Sequence, residues 1–309
     1  MEHMKNKSFF FCFLLICLAK VCTSSPSPPP PNYPKNQTQT SPSGKKHFVL
    51  IHGAGLGAWS WYKVATLLKD SGHNVTALDL GAAGINPIQI QQLRSISQYV
   101  EPLTKLMVSL PPNERIILVG HSIGGAVISI FLERFPEKIA AAVYVTAYMS
   151  GPTLKYSTIL TEVMSSQAHT KVAASKTIVL IKDWTLWTLY DNGTNNPPTS
   201  YLRGPKFVAL KYLQLSPAQD KTLVSSLIRF QPLFNYDVIK LTKEKYGSVR
   251  RVFIVCGQDQ TIVLDVQNYI IRNNPPDEVK VISDSDHFVM ISRPLKLFFN
   301  LQNIAEKYS

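Results

Sequence analysis

Gly120-His121-Ser122-Ile123-Gly124 restricts what this chain can fold into more than any other stretch, because of what lies on either side of it. Ile116 to Val119 is a short apolar run of mostly β-branched residues, which predicts a buried strand. Ile123 to Phe135 carry small and apolar residues at helical spacing, and Pro136 stops that helix. A G-x-S-x-G sequence at such a junction predicts a nucleophile elbow. A side chain at 120 or 124 would strike the neighbouring backbone. Ser122 must take a strained conformation costing about 1–3 kcal/mol. The strain lifts its hydroxyl out of the sheet and makes Ser122 the candidate nucleophile. Alone the pattern is weak, since Gly and Ser are common; the alternative is an ordinary connecting turn.

The globular part is expected to start near His47. Phe48 to Ile51 predict a strand that leads into His52-Gly53-Ala54-Gly55-Leu56-Gly57-Ala58-Trp59. Glycines straight after a strand let backbone N–H groups face a ligand closely. They suit an oxyanion hole, with the Ala54 N–H as one donor and the Ile123 N–H as the other. The spacing Gly53, Gly55, Gly57 does not fit the dinucleotide pattern G-x-G-x-x-G. A helix over Ala58 to Ser71 closed by Gly72, a strand over Asn74 to Asp79 and a helix over 92–109 kinked near Pro102 follow. Further strands are expected at Ile139 to Ala147, Arg251 to Val255 and Val279 to Ile282, with helices at 262–273 and Pro294 to Lys307. Strands alternating with helices predict an α/β fold, a mostly parallel sheet covered on both faces.

From about 151 to 232 this rhythm changes, and the stretch is expected to form a cap over the site. Trp184, Trp187, Tyr190 and Tyr201 are separated by polar and Pro/Gly-rich turns. They are expected to line an apolar pocket, with plain packing as the alternative. Ser216 is expected to cap a helix at 217–229.

A serine nucleophile needs a base, and the base needs an acid to orient it. In this kind of sheet the order is Ser, then Asp or Glu, then His, each on a loop at a strand's carboxyl end. Ser122, Asp259 and His287 satisfy order and placement together. Asp284 and Asp286 are rival acids on the histidine's own loop; His52, His73, His121 and His169 are rival bases. His121 neighbours the serine, but its side chain points the other way, which suits pocket lining better.

The balance is basic, with 32 Lys and Arg against 20 Asp and Glu, a formal charge of +12 over 309 residues. These charges are scattered and no basic run is interleaved with aromatics, so a nucleic-acid partner is not expected. Lys5 and Lys7 precede an apolar run from Phe9 to Ala19, with small residues at Thr23 to Ser25. Residues 1–25 thus read as a secretory signal peptide, with an uncleaved anchor or plastid targeting as the alternatives. The run is too short to span a bilayer comfortably, so stable membrane insertion is not expected once the leader is cleaved. Extracellular or cell-wall delivery follows, and sequons at Asn36, Asn74 and Asn192 fit it. Residues 26–46 are proline-rich and read as a disordered linker before a hydrolytic domain at 47–309. Cys12, Cys17 and Cys22 would leave with the leader. Cys256 then stands alone, read as a small apolar filler.

Several motifs together resemble the plant methylesterase family. They are His52-Gly53-Ala54, Gly57-Ala58-Trp59, Asp79-Leu80-Gly81-Ala82, Val119 to Gly125, Gln214-Leu215-Ser216-Pro217, Tyr246-Gly247-Ser248-Val249 and Asp286-His287. That family includes the salicylic-acid-binding protein, polyneuridine-aldehyde esterase and the α-hydroxynitrile lyases. The resemblance covers about 47–307. It implies an α/β-hydrolase fold with a lid and hydrolysis of small methyl esters such as methyl salicylate, methyl jasmonate and methyl indole-3-acetate. It also implies Ser122, Asp259 and His287 as the triad, Ala54 and Ile123 as oxyanion donors, and His121 as a pocket residue. The lyases differ, with threonine at the position of Gly53 and lysine at that of Phe288. A phenyl ring cannot stabilise departing cyanide, so the lyase reading is disfavoured. Phe288 is bulkier than the family's common methionine and is expected to narrow the acyl pocket. No metal or organic cofactor is expected; the partner is a small methyl ester, and a homodimer is admitted. A small-ligand receptor on the same scaffold, or an acyltransferase, is the rival from another class.

Overall fold

The computed structural model describes residues 44–168 and 186–308. The leader expected at 1–25, most of the linker, His169 and Trp184 lie outside the described residues. Six strands form one parallel sheet in the order β2-β1-β3-β4-β8-β9. They are β1 (His47–Ile51), β2 (Asn74–Leu78), β3 (Ile116–His121), β4 (Ile139–Val145), β8 (Arg251–Cys256) and β9 (Glu278–Ile282). Between β4 and β8, β5 (Leu186–Leu189), β6 (Ser200–Arg203) and β7 (Gln231–Pro232) make a second, antiparallel sheet. In chain order the helices are α1 (Tyr62–Asp70), α2 (Ile96–Tyr99), α3 (Glu101–Ser109), α4 (Gly124–Arg134) and α5 (Tyr156–Ala168). Then come α6 (Pro205–Phe207), α7 (Ala218–Leu227), α8 (Leu264–Asn273), α9 (Val289–Ser292) and α10 (Pro294–Lys307).

The apolar runs behave as their composition demands. Every residue of β3 and β4 is buried, as expected of parallel strands covered on both faces. Side chains alternate between two cores. Val49, Ile51, Leu118 and Tyr144 join Leu103, Val127 and Ile270 from α3, α4 and α8. Phe48, Leu50, Val119 and Val143 join Leu68, Leu297 and Leu301 from α1 and α10. The sheet is therefore sandwiched, and the loops at its carboxyl edge converge on one place.

Three local expectations differ from what is observed. The helix expected over 92–109 is two helices, α2 and α3, broken at Val100. Pro102 sits in the first turn of α3, where its missing N–H costs no hydrogen bond. The strand expected to reach Asp79 stops at Leu78, and the Asp79 carboxylate accepts from the Ala58 and Ile85 amides instead. Ser216 does not cap α7, whose N-cap is Pro217. Its hydroxyl donates to Asp286 Oδ2 at 3.3 Å.

Candidate active site

The turn between β3 and α4 is as tight as its glycines predict. Ser122 sits at φ +53°, one of three positive-φ residues other than glycine among those described. Its carbonyl accepts from the Gly125 and Tyr148 amides, which fixes the bend. A Cβ on Gly120 would lie 2.6 Å from the Gly124 carbonyl oxygen. A Cβ on Gly124 would lie 2.7 Å from that of His52.

Two other strand ends meet this hydroxyl. His287, on the loop after β9, has Nε2 3.1 Å from Ser122 Oγ. Its Nδ1 lies 2.6 Å from Asp259 Oδ2, on the loop after β8. A carboxylate only accepts, so Nδ1 carries the proton and Nε2 is left to accept from the serine hydroxyl. All three side chains are almost fully buried. Asp259 Oδ1 accepts from the Thr261 and Ile262 amides at 2.6 and 3.0 Å. Thr146, whose role the sequence did not suggest, donates its hydroxyl to Oδ2 at 2.5 Å.

The rival residues are engaged elsewhere. Asp284 pairs with Arg293 and Lys296, and these hydrogen bonds hold its carboxyl down at about 2. Asp286 accepts from the Leu215 and Phe288 amides and the Ser216 and Ser292 hydroxyls. His52 is buried away from the serine, with Nδ1 donating to the Gly53 carbonyl and Nε2 accepting from the Leu80 amide.

Ala54, Ser122 and Ile123 line a cavity of about 260 Å3. Neither the Ala54 nor the Ile123 amide donates to an acceptor among the described residues, although their neighbours do. Two free N–H groups beside a nucleophile can receive a developing oxyanion. The other walls come from α5 (Tyr156, Leu160, Met164) and the second sheet (Leu186, Tyr201, Arg203), with Tyr148 and Tyr212. Burial raises the phenol pKa values of Tyr148, Tyr201 and Tyr212, which keeps them neutral.

Several expected pocket residues are elsewhere. His121 is fully buried beneath His287, its Nε2 donating to the His287 carbonyl at 2.8 Å, and does not line the cavity. Burial, and then the nearby His287, lower its pKa well below the usual histidine value. Phe288 also faces the core, stacked on Tyr212 with centroids 5.4 Å apart, so it cannot narrow the cavity directly. Tyr201 lines the cavity, but Trp187 and Tyr190 are exposed. On β5 Leu186 and Thr188 line the cavity, and Trp187 between them belongs to the other face of the strand. Trp184 lies outside the described residues. Among the described residues no three His, Cys, Asp or Glu are grouped to hold a metal ion.

Comparison with known proteins places the chain among relatives of the same fold. A model of the alpha/beta hydrolase family matches residues 48–301. Methyl jasmonate esterase 1 of Vitis vinifera is 49% identical over 269 residues, spanning 86% of this chain and 98% of that protein. Methylesterase 3 of Arabidopsis thaliana is 40% identical over 269 residues, with 86% and 98% covered. The crystal structure of tomato methylketone synthase I complexed with 2-tridecanone superposes with a TM-score of 0.77 at 44% identity. That match covers 86% of this chain and 99% of the synthase.

Proposed function

Because the chain belongs to the α/β-hydrolase family and, within it, to the plant methylesterases, we propose that it is a serine carboxylesterase acting on methyl esters of small plant hormone acids. Esters of the methyl jasmonate, methyl indole-3-acetate and methyl salicylate kind are its substrates. The observation that carries this reading is the alignment of Ser122 Oγ, the His287 ring and Asp259 at 3.1 and 2.6 Å beside an aromatic cavity.

In the first half-reaction His287 Nε2 takes the Ser122 proton as Oγ attacks the ester carbonyl. Asp259 stabilises the imidazolium through Nδ1–H. The Ala54 and Ile123 amides receive the oxyanion, and losing one such donor typically costs about 2.7–4 kcal/mol. His287 returns the proton to the departing methoxide, and methanol leaves an acyl-Ser122. Water then attacks by the same route, freeing the acid and restoring the serine.

The test is turnover of a methyl ester panel by the wild type and by Ser122→Ala. Multiple turnovers, lowered about 10⁵- to 10⁶-fold in the variant, are expected. Equal binding by both proteins with negligible turnover would instead make the chain a receptor for such ligands.

The proposal extends to location: a leader at 1–25, a linker at 26–46 and a secreted domain at 47–309 capped at about 151–232. No helix among the described residues is long and apolar enough to cross a membrane. Asn74 and Asn192 are exposed sequons. A mobility shift on endoglycosidase treatment of plant-expressed protein is expected, and its absence would count against secretion.

A further inference from the structure

Arg203, the last residue of β6, is the only charged residue lining the cavity among those described. Its guanidinium carbon lies 4.4 Å from the Phe207 ring centroid and 5.4 Å from that of Tyr201. Stacking holds the group in place but takes none of its hydrogens. A guanidinium has five N–H donors in a planar fork. Among the described residues Tyr212 accepts from the fork, and Nε, sealed from water, has no acceptor. The ionisable groups that bear on the charge are the phenols of Tyr212, Tyr201 and Tyr148, which burial keeps neutral. Arg203 as a whole is half-buried, but a cationic donor sealed from water with no acceptor is costly for a fold to hold.

The cost has a functional reason if the missing acceptor arrives with the ligand. The Tyr212 ring that meets the guanidinium also lies against the imidazole of His287, centroids 5.2 Å apart. The cation is thus one side chain removed from the reacting centre and on the same cavity wall. We propose that Arg203 is a specificity-determining residue, receiving an oxygen acceptor (a ketone or a carboxylate) carried on the acid portion of the ester. The inference rests on the esterase reading above and narrows it. Among small methyl esters the preferred ones bear a second oxygen function remote from the ester, and purely hydrocarbon acids are poor substrates. A site built to hydrogen-bond such a group rejects the analogue lacking it, because its own donors are then left unpaired.

Three methyl esters of similar length separate the cases: methyl 7-oxooctanoate, monomethyl suberate and methyl octanoate. In the wild-type protein kcat/KM for the ketone, the half-ester or both is expected to exceed that for methyl octanoate by about ten- to a hundredfold. The Arg203→Leu variant should bring that ratio close to one, and Arg203→Lys should restore part of it. Preference for the ketone alone identifies a carbonyl ligand, and preference for the half-ester alone identifies an anionic one. Dissociation constants of the same esters with Ser122→Ala, alone and combined with Arg203→Leu, read the contact without chemistry. Failure of the esterase reading therefore leaves this test intact. A wild-type enzyme without preference, or an Arg203→Leu variant that weakens all three esters equally, would overturn the assignment.

Discussion

Thr146 Oγ1 and His287 Nδ1 donate to the same atom, Asp259 Oδ2, at 2.5 and 2.6 Å. Thr146 stands just past β4 at φ +38°, a region a β-branched residue rarely enters. Its N–H donates a hydrogen bond to the Ile254 carbonyl, which helps hold it there. Thr146→Val keeps the shape and removes the donor. The kcat for a methyl ester is expected to fall about tenfold, equivalent to about 1.4 kcal/mol, with KM little changed. Thr146→Ser should retain most of the rate. An unaltered kcat in the valine variant would mean that the Thr261 and Ile262 amides orient the carboxylate without help.

Gly120→Ala tests the elbow as a packing problem. The added methyl would sit 2.6 and 2.8 Å from the Gly124 oxygen and carbonyl carbon, backbone atoms that cannot swing aside. Overpacking of this kind costs about 1–3 kcal/mol, a fall of about 3–10 °C in Tm. Gly247→Ala, whose Cβ would come no nearer than 3.7 Å to a neighbour, serves as the control and should be close to neutral. Equal melting of the two variants would contradict the account of the turn.

Buried neutral histidines give stability a pH dependence. Burial lowers the pKa of His52, against smaller opposing effects of the Gly53 carbonyl and Asp79. Burial and the neighbouring His287 lower that of His121. In the unfolded chain both titrate near 6.5. Below that pH the unfolded state binds more protons, so stability is full above about 6.5 and drains as pH falls toward the folded values. Thermal melts should be level between pH 7 and 8 and decline from 6.5 to 5. The decline should be shallower in His52→Gln. Melting that rises on acidification through this range would contradict the prediction.

Much of this architecture is legible in the residues because its signals are local. Val49 and Val119 lie in short β-branched runs between turn residues, and Gly120 and Gly124 bracket a serine at the one junction where a side chain would collide. Asp259 and His287 are found by the order in which strand-end loops occur. Arg203 and Tyr212 leave no such mark, since they lie in a short strand and an irregular helical turn whose partners are set by tertiary pairing. Thr146 reads as part of the apolar run Ile139 to Ala147, and its hydroxyl gains meaning only once β8 lies beside β4. Ser216 has the look of a helix cap, but Asp286, distant in sequence, takes its hydroxyl instead. That Leu186 and Thr188 rather than Trp187 line the cavity depends on which face of β5 meets it, which the sequence alone does not fix.

Gly55, the residue after Ala54, is bonded on both sides to the segment that ends the second sheet. Its amide donates to Gln231 Oε1 at 3.1 Å, and its carbonyl accepts from the Arg229 amide at 2.8 Å. The Arg229 side chain further donates to the carbonyls of Gly84, Asn86 and Ile88. The roof of the chamber and the amide that would steady the tetrahedral intermediate are therefore geared together. A disturbance at 229–231 would displace both at once and register in the rate of bond breaking as well as in how firmly an ester is held.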